Sequence, residues 1–282
     1  MDLYDYNTVN RILSKHGFTF SKALGQNFLI DPNVCPEMAY ELNADENTGV
    51  IEVGPGIGVL TKELCKVAGK VVAIELDKRL FPVLDETLSE FDNLQIVEGD
   101  VLKLNLKELI EEKFSGMKSV KVCANLPYYI TSPVIMSLLE SKLPIDEIVV
   151  MVQKEAAERF CAEIGSRESG AVTVAVNYFA TAEMLFEVKK DCFMPSPKVD
   201  SAVMRLRLRE KPPVEVENEK RFFAVIKAAF SQRRKTALNC LSNGLSLPKE
   251  KVSNALNEIG LSEKSRAENF TMEQFAELSK LL

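Results

Sequence analysis

The stretch Val50-Ile51-Glu52-Val53-Gly54-Pro55-Gly56-Ile57-Gly58 decides the fold that we predict for this chain. Its first four residues have the apolar, β-branched composition of a short buried strand. The glycines that follow let the backbone turn sharply and approach a ligand closely. Helical spacing comes next, with apolar residues at Val59, Leu60, Leu64 and Val67. A strand, a glycine-rich turn and a helix are therefore expected in succession.

The same alternation continues along the chain. Strand-like runs are predicted at residues 71–75, 94–97, 120–124 and 147–152, with helical patterns between them. This rhythm is typical of a parallel sheet covered by helices on both faces. Two later strand-like runs, at residues 172–179 and 201–208, are expected to form a hairpin-like ending. The predicted class is therefore α/β, with a Rossmann-like sheet.

A break in the pattern predicts a domain boundary. Lys211-Pro212-Pro213 cannot continue a helix interior or a strand ladder, so we place the boundary there and expect domains at residues 1–210 and 211–282. Beyond it the signal is helical, and Pro248 is expected to open a helix, as is Thr271 in a capping box with Gln274. An apolar stripe is formed by Phe222, Val225, Ile226, Ala229 and Phe230. The tail is predicted to be a small all-helical domain.

Composition excludes several classes of protein. Hydrophobic residues make up 46% of the chain, enough for a core, but no window is apolar enough to span a membrane. The amino terminus lacks the apolar segment of a secretory signal, so a cytoplasmic protein is expected. Six cysteines include no Cys-x-x-Cys pair and His16 is the one histidine, so we expect reduced thiols, no metal site and no serine triad.

Charge is distributed unevenly along the chain. The net charge is −6, which by itself counts against a nucleic-acid substrate. Residues 187–240 nevertheless hold 13 Lys and Arg against 7 Asp and Glu. Both interpretations stay open on charge alone: one basic face for a polyanion, or an ordinary solvated surface.

The glycine loop predicts the class of cofactor. Its pattern is Gly-x-Gly-x-Gly, and Val59 stands close to where a dinucleotide fingerprint has its third glycine. The missing glycine argues against NAD. S-adenosylmethionine has no phosphate to hold and suits such a turn, while a tight turn without a ligand is the alternative. The cofactor-binding glycines would be Gly54 and Gly56.

Two carboxylates strengthen the prediction. Glu75 ends the second strand, where it can accept hydrogen bonds from both ribose hydroxyls of an adenosine. Asp100 follows the third strand and can accept one from the cofactor's adenine amine. Acids at strand ends also serve solubility. The carboxyl ends of parallel strands share one edge, however, and together with the loop these acids indicate a nucleoside site.

Asn125-Leu126-Pro127-Tyr128 follows the fourth strand on that edge. An adenine amine is a poor nucleophile because the ring delocalises its lone pair. Two acceptors directed at the amine hydrogens, the Asn125 side-chain oxygen and the Leu126 carbonyl, favour a pyramidal nitrogen that can attack a methyl group. Pro127 stiffens the turn, and Tyr128 can stack on the base, worth about 1–3 kcal/mol. The segment therefore predicts a catalytic turn; a plain turn after a strand is the alternative.

A flipped base needs an aromatic group on its second face. Phe193, in Cys192-Phe193-Met194-Pro195-Ser196-Pro197-Lys198, is the candidate because the prolines hold a rigid loop. A packing role for Phe193 is the open alternative.

These residues carry a resemblance to a known family. The chain resembles the small-subunit ribosomal RNA adenine dimethyltransferases, which transfer two methyls to each of two adjacent adenines near the 3′ end of 16S rRNA. The likeness covers nearly the whole chain, and beyond the segments above it rests on Lys22-Ala23-Leu24-Gly25-Gln26-Asn27-Phe28-Leu29, Met194-Pro195-Ser196-Pro197-Lys198-Val199-Asp200-Ser201 and Phe230-Ser231-Gln232-Arg233-Arg234-Lys235-Thr236. Tyr129 departs from some relatives, which have Asn there.

The resemblance implies functional details that spacing alone does not. It implies a class I methyltransferase fold with S-adenosylmethionine as methyl donor and no metal, and it implies a monomer that acts on 16S rRNA within the small subunit and has a role in its biogenesis. Cofactor contacts are implied at Asn27, Leu29, Gly54, Glu75, Asp100 and Asn125. RNA contacts are implied at Arg233, Arg234 and Lys235 in the helical domain; without the resemblance these three would be taken for a solvated helix face.

Other functions compete with this one. The nearest is a methyltransferase of large-subunit rRNA that confers macrolide resistance and shares the catalytic residues. A ribosome-assembly factor whose binding outweighs its catalysis is another, and the two roles can coexist. DNA adenine and protein glutamine methyltransferases use related turns, but the resemblance outside that turn argues against them.

Overall fold

The computed structural model describes residues 1–21 and 25–282, so Lys22, Ala23 and Leu24 of the family-like amino-terminal segment lie outside the described residues. Its strands are β1 Phe28–Leu29, β2 Thr48–Val53, β3 Lys70–Glu75, β4 Leu94–Glu98, β5 Ser119–Asn125, β6 Glu147–Gln153, β7 Ala180–Val188, β8 Phe193–Met194 and β9 Ser201–Leu208. Its helices are α1 Tyr6–Lys15, α2 Val34–Glu41, α3 Val59–Val67, α4 Phe81–Thr87, α5 Leu106–Lys113, α6 Thr131–Glu140, α7 Lys154–Phe160, α8 Ala171–Phe179, α9 Glu219–Ala229, α10 Ala237–Leu245, α11 Lys249–Glu258 and α12 Met272–Leu281. Within the described ranges, no helix has both the length and the apolar character needed to cross a membrane.

Seven strands form the central sheet, in the order β4-β3-β2-β5-β6-β9-β7. The first five pair in parallel, and β9 pairs antiparallel with β6. Val50, Ile51, Val71 and Val72 are fully buried, as expected of parallel strands covered on both faces. The α/β prediction is confirmed, and so are the strands predicted near residues 50–53, 71–75, 94–97, 120–124, 147–152 and 201–208.

The register of the sheet brings the carboxyl ends of its strands together. Glu75 lies opposite Glu98, Val53 opposite Ile74, and Asn125 opposite Met151. The residues that follow β2, β3, β4 and β5 therefore leave the sheet at one edge, where ligands of open parallel sheets bind.

One predicted strand is wrong. Residues 172–179 lie in helix α8, and the strand β7 begins only at Ala180. Alternating valines favour a strand locally, but a short apolar run cannot be told from a buried helix by its pattern alone. Burial decides the matter, because Val174 and Tyr178 pack in the core of a helical cluster, with the Tyr178 ring 5.1 Å from that of Phe222.

The chain folds into two compact units. One comprises residues 1–157 and 183–208, and the other comprises residues 158–182 and 209–282. The end of the first unit falls two residues before the predicted boundary at 210. The structure differs from the predicted division in residues 158–182, which were expected in the first domain. They belong to the second unit because α8 packs against α9.

The second unit bears out the helical signals after the prolines. In α9 the predicted stripe is buried at Phe222, Val225, Ile226 and Ala229. Pro248 immediately precedes α11, and Thr271 forms the predicted capping box with Gln274 at the start of α12.

Candidate active site

A single cleft in the first unit brings the predicted site residues together. It has about 1070 Å³ of empty space, counting its open mouth, and it lies at the carboxyl edge of the parallel strands. Eleven predicted residues line it: Asn27, Leu29, Gly54, Gly56, Glu75, Asp100, Asn125, Leu126, Pro127, Tyr128 and Phe193. Cofactor and target residues predicted from segments far apart in the sequence therefore face one space.

The glycine loop forms one side of this cleft. Gly54, Gly56 and Gly58 all have positive φ angles, of 71°, 61° and 93°. Such angles are accessible to glycine but strain other residues. A Cβ built on Gly54 would meet no atom within 4 Å, so the loop offers bare backbone to a ligand at this point. Gly58 then caps α3, which begins at Val59.

Glu75 lies at the end of β3 and is 6% exposed. Its Oε1 accepts a hydrogen bond of 2.7 Å from the main-chain N–H of Asp77. Burial raises the pKa of the Glu75 carboxyl, and this N–H opposes part of the shift because it stabilises the charged form. The Asp77 bond thus holds the Glu75 carboxylate in the lining of the cleft, and its bonds to ribose hydroxyls stay a prediction.

The target turn begins where β5 ends. Asn125 is the last residue of that strand, and the N–H of Leu126 donates to the carbonyl of Met151 at 3.1 Å. The Tyr128 hydroxyl lies 2.7 Å from Ser201 Oγ, at the start of β9, and burial raises the pKa of Tyr128. These bonds hold the turn rigidly beside the glycine loop, as an enzyme that positions a nucleophile requires.

Comparison with known proteins agrees with this geometry. A family model described as "Ribosomal RNA adenine dimethylase" matches residues 17–282. The chain belongs to the ribosomal RNA adenine dimethylase family. Membership confirms the predicted family and enzyme class, and a methyltransferase of this family implies S-adenosylmethionine as methyl donor.

Relatives in this family match most or all of the chain. The "Ribosomal RNA small subunit methyltransferase A" of Geobacillus sp. (strain WCH70) is 46% identical over 284 residues, covering 100% of this chain and 98% of the relative. A dimethyladenosine transferase structure from Plasmodium falciparum is 26% identical, with a TM-score of 0.73, covering 89% of this chain and 95% of that one. The structure of the 23S rRNA methyltransferase ErmE is 28% identical, with a TM-score of 0.67, covering 90% of this chain and 99% of that one.

Residues 25–29 line the cleft beside the glycine loop, where the Phe28 ring lies against Gly56. Asn27 Nδ2 donates to the carbonyl of Gly25 at 3.1 Å, and Leu29 is buried in β1. Strand β1 pairs antiparallel with β8, so that Leu29 faces Phe193. Residues alone indicate only a loop here, because the partner strand lies more than 160 positions away.

Asp100 follows β4 and lines the dimethylase cleft. Its Oδ1 accepts a hydrogen bond of 3.1 Å from the N–H of Leu102, and its Oδ2 lies 3.3 Å from Lys103 Nζ. These contacts orient the carboxylate. Its bond to a cofactor amine stays a prediction.

Phe193 lies both in the core and at the cleft. The ring is 3% exposed and packs in the apolar core of the first unit, yet it also lines the cleft. Core packing is thus established. Stacking on a target base stays a prediction for this dimethylase.

The basic cluster of the dimethylase lies in its second unit. Arg233, Arg234 and Lys235 are exposed between α9 and α10, and Arg233 Nη2 donates to the carbonyl of Arg167 at 3.2 Å. None of the three lines the cleft. Their predicted contact with RNA stays a prediction.

Glu52 is a cleft residue to which the sequence assigned no role. It is 1% exposed on β2, lines the cleft, and its Oε2 has no hydrogen-bond partner. Burial, and then the charge of Glu75, raises the pKa of Glu52 to about 8. The signal in the sequence was an acid placed within an otherwise apolar strand.

Proposed function

We propose that this protein uses S-adenosylmethionine to dimethylate N6 of two adjacent adenosines near the 3′ end of 16S rRNA in the small ribosomal subunit, and that it has a role in subunit biogenesis. One observation carries the proposal: the Asn125-Leu126-Pro127-Tyr128 turn and the glycine loop line the same cleft. The name of the Geobacillus relative, 46% identical over the whole chain, supports the small subunit as the substrate.

The residues of the cleft fit the proposed methyl donor. The bare backbone at Gly54 leaves room for a close approach, Gly56 leaves room for the Phe28 ring beside the loop, and Glu75 offers a fixed carboxylate for ribose hydroxyls. Asp100 would accept a hydrogen bond from the adenine amine, and Asn27 and Leu29 would contact the ligand from residues 25–29. When bound, the donor supplies an electrophilic methyl group.

The target turn supplies the other half of the chemistry. The Asn125 side-chain oxygen and the Leu126 carbonyl would accept hydrogen bonds from the two N–H groups of the adenine amine. These bonds would direct the nitrogen lone pair towards the methyl group. Tyr128 and Phe193 would hold the base between two rings after it leaves its stack. Methyl transfer needs no strong base, because the amine nitrogen can lose its proton after it has gained the methyl group. Alignment of the reactants can lower the barrier by about 7–11 kcal/mol.

The two units divide the work in this proposal. The first unit, residues 1–157 and 183–208, would bind the donor and catalyse transfer, and the second unit would bind RNA through Arg233, Arg234 and Lys235. A net charge of −6 suits a preassembled ribosomal particle contacted through one basic face better than free RNA. The protein would act as a monomer in the cytoplasm.

A large-subunit substrate is the second candidate. It is favoured by the structural similarity to ErmE, a 23S rRNA methyltransferase with a TM-score of 0.67. Fold is a weak guide to substrate, however, because one scaffold serves many. The relative with 46% identity over the full chain carries the small-subunit name, so that substrate is preferred.

The decisive assay offers both substrates in parallel. Unmodified small and large subunits are incubated with the protein and S-adenosylmethionine labelled in the methyl group. We expect label in 16S rRNA as N6,N6-dimethyladenosine, and none with Asn125→Ala. Label confined to large-subunit RNA would reject the proposal. Restoration of small-subunit maturation in cells by Asn125→Ala would make assembly, not methylation, the main role.

A further inference from the structure

Asp77 makes hydrogen bonds to two residues that line the cleft, Glu75 and Gln26. It lies two residues beyond Glu75 and is 7% exposed. Its main-chain N–H donates to Glu75 Oε1 at 2.7 Å, and its carboxylate Oδ2 accepts from Gln26 Nε2 at 2.9 Å. Gln26 precedes Asn27 within residues 25–29, which line the cleft. One residue therefore contacts both the proposed ribose acceptor and the segment that would cover the donor.

Arg79 holds the Asp77 carboxylate in place. Its Nε and Nη2 atoms donate to the two carboxylate oxygens at 2.8 and 2.6 Å, and this guanidinium lowers the pKa of Asp77. Arg79 Nη1 also reaches the carbonyl of Thr19 at 3.4 Å, and its guanidinium carbon lies 5.1 Å from the centre of the Phe18 ring. Arg79 thus balances the charge of Asp77 and orients its carboxylate towards Gln26.

Residues 25–29 have only a short backbone pairing within the described part of the chain. Strand β1 is two residues long and pairs with the equally short β8. The Gln26 side chain makes two bonds, since its Oε1 accepts from the N–H of Ser21 at 2.9 Å while its Nε2 donates to Asp77. The Gln26–Asp77 bond joins residues 25–29 to the loop that follows Glu75, alongside the bond from Arg79 to the Thr19 carbonyl.

We propose that Gln26 and Asp77 are positioning residues for the methyl donor, whose hydrogen bond holds residues 25–29 at the distance from Glu75 that the donor requires. The inference rests on the cofactor site proposed above. A ligand that contacts both residues 25–29 and Glu75 binds more tightly when these groups already have the right spacing. Less conformational entropy is then lost on binding. Asp77 is not among the residues that line the cleft, and Gln26 lines it beside Asn27. We expect the effect to fall on affinity for the donor and not on the chemical step.

Two substitutions of Gln26 test this bond and leave the Asp77–Arg79 pair intact. Gln26→Leu removes the amide, and we expect S-adenosylmethionine and S-adenosylhomocysteine to bind about tenfold more weakly, about 1.4 kcal/mol. Gln26→Glu keeps an acceptor for the Ser21 N–H but sets two carboxylates against each other, and it is expected to bind more weakly still. A loss shared by both variants therefore belongs to the Asp77 bond and not to the Ser21 bond. Asp77 itself is left unchanged, because Asp77→Asn would turn an amide N–H towards Arg79 Nη2 and break the bidentate pair.

Isothermal titration calorimetry of the full chain measures these affinities without any methyl transfer. Asp92→Asn, an exposed acid at the opposite edge of the sheet, is the matched control and should bind as the wild type does. For the variants, KM for the donor should rise while kcat at saturation stays within about twofold. Melting temperatures of the ligand-free proteins separate this effect from a loss of fold.

The two Gln26 variants decide the outcome. If either binds the ligands as the wild type does, the positioning role is rejected while the proposed function stands. If the wild type itself binds neither ligand, the proposed function fails as well. Both variants leave the Asp77–Arg79 pair untouched, so unchanged melting temperatures assign a loss of affinity to the Gln26–Asp77 bond.

Discussion

Glu52→Gln replaces a buried carboxyl with an amide of nearly the same size. The carboxyl is 1% exposed on β2, and its Oε2 has no hydrogen-bond partner. Burial and the nearby charge of Glu75 raise its pKa from an ordinary 4.5 to about 8. Near neutral pH the Glu52 carboxyl is therefore protonated in the folded protein and ionised in the unfolded chain.

The sign and size of the effect follow from these two values. Because the folded pKa lies above the unfolded one, the stability contributed by Glu52 is fully present below about pH 4.5 and is lost as the pH rises towards about 8. Each pH unit within that window lowers the free energy of unfolding by about 1.4 kcal/mol. The loss between about pH 5 and about pH 7.5 is therefore about 3 kcal/mol. The Gln variant does not titrate and should escape it.

Urea unfolding of the ligand-free protein, followed by circular dichroism across this pH range, measures the difference. The variant's free energy of unfolding should rise relative to the wild type by about 3 kcal/mol from the acid end to the neutral end. Glu111→Gln, which changes an exposed glutamate of α5, serves as the control and should run parallel to the wild type. Parallel curves for Glu52→Gln as well would refute the reasoning.

Three further predictions concern the site and the RNA. Ser201→Ala and Tyr128→Phe each remove one partner of the 2.7 Å bond that holds the target ring; each should lower single-turnover methylation about fivefold, and the double variant should lose no more than either, whereas additive losses would deny the coupling. Glu75→Ala should weaken S-adenosylmethionine binding by tenfold or more in calorimetry because ribose hydroxyls lose their acceptor, and unchanged affinity would remove Glu75 from the site. Arg233→Ala/Arg234→Ala should weaken particle binding in filter assays and reduce its logarithmic salt slope by about two, while an unchanged slope would place both on a solvated face.

Local patterns in the sequence determined most of the sheet and the chemistry of its edge. The buried parallel strands are mainly apolar runs, and the glycine loop turns because its own residues allow positive φ. Glu75, Asp100 and Asn125 were predictable because each ends or follows a strand, and the ends of parallel strands converge on one edge. These features depend on residues that are near neighbours in the chain.

The tertiary structure decided features whose partners are distant in the sequence. Whether residues 172–179 form a strand or a helix depends on packing against α9, which their own valines do not report. The antiparallel pairing of Leu29 with Phe193 and the Tyr128–Ser201 bond join segments separated by tens to more than a hundred residues. Burial, which raises the pKa of Glu52, likewise exists only once the helices cover the sheet.

The physical reason is the range over which each force acts. Backbone conformation and hydrophobic periodicity are properties of a short segment, so the sequence by itself determined the parallel strands, the glycine loop and the target turn. Hydrogen bonds and burial between distant segments depend on which surfaces meet after folding. The Gln26–Asp77 bond, 51 residues apart, belongs to that second group, and only the folded chain brings the two side chains within 2.9 Å.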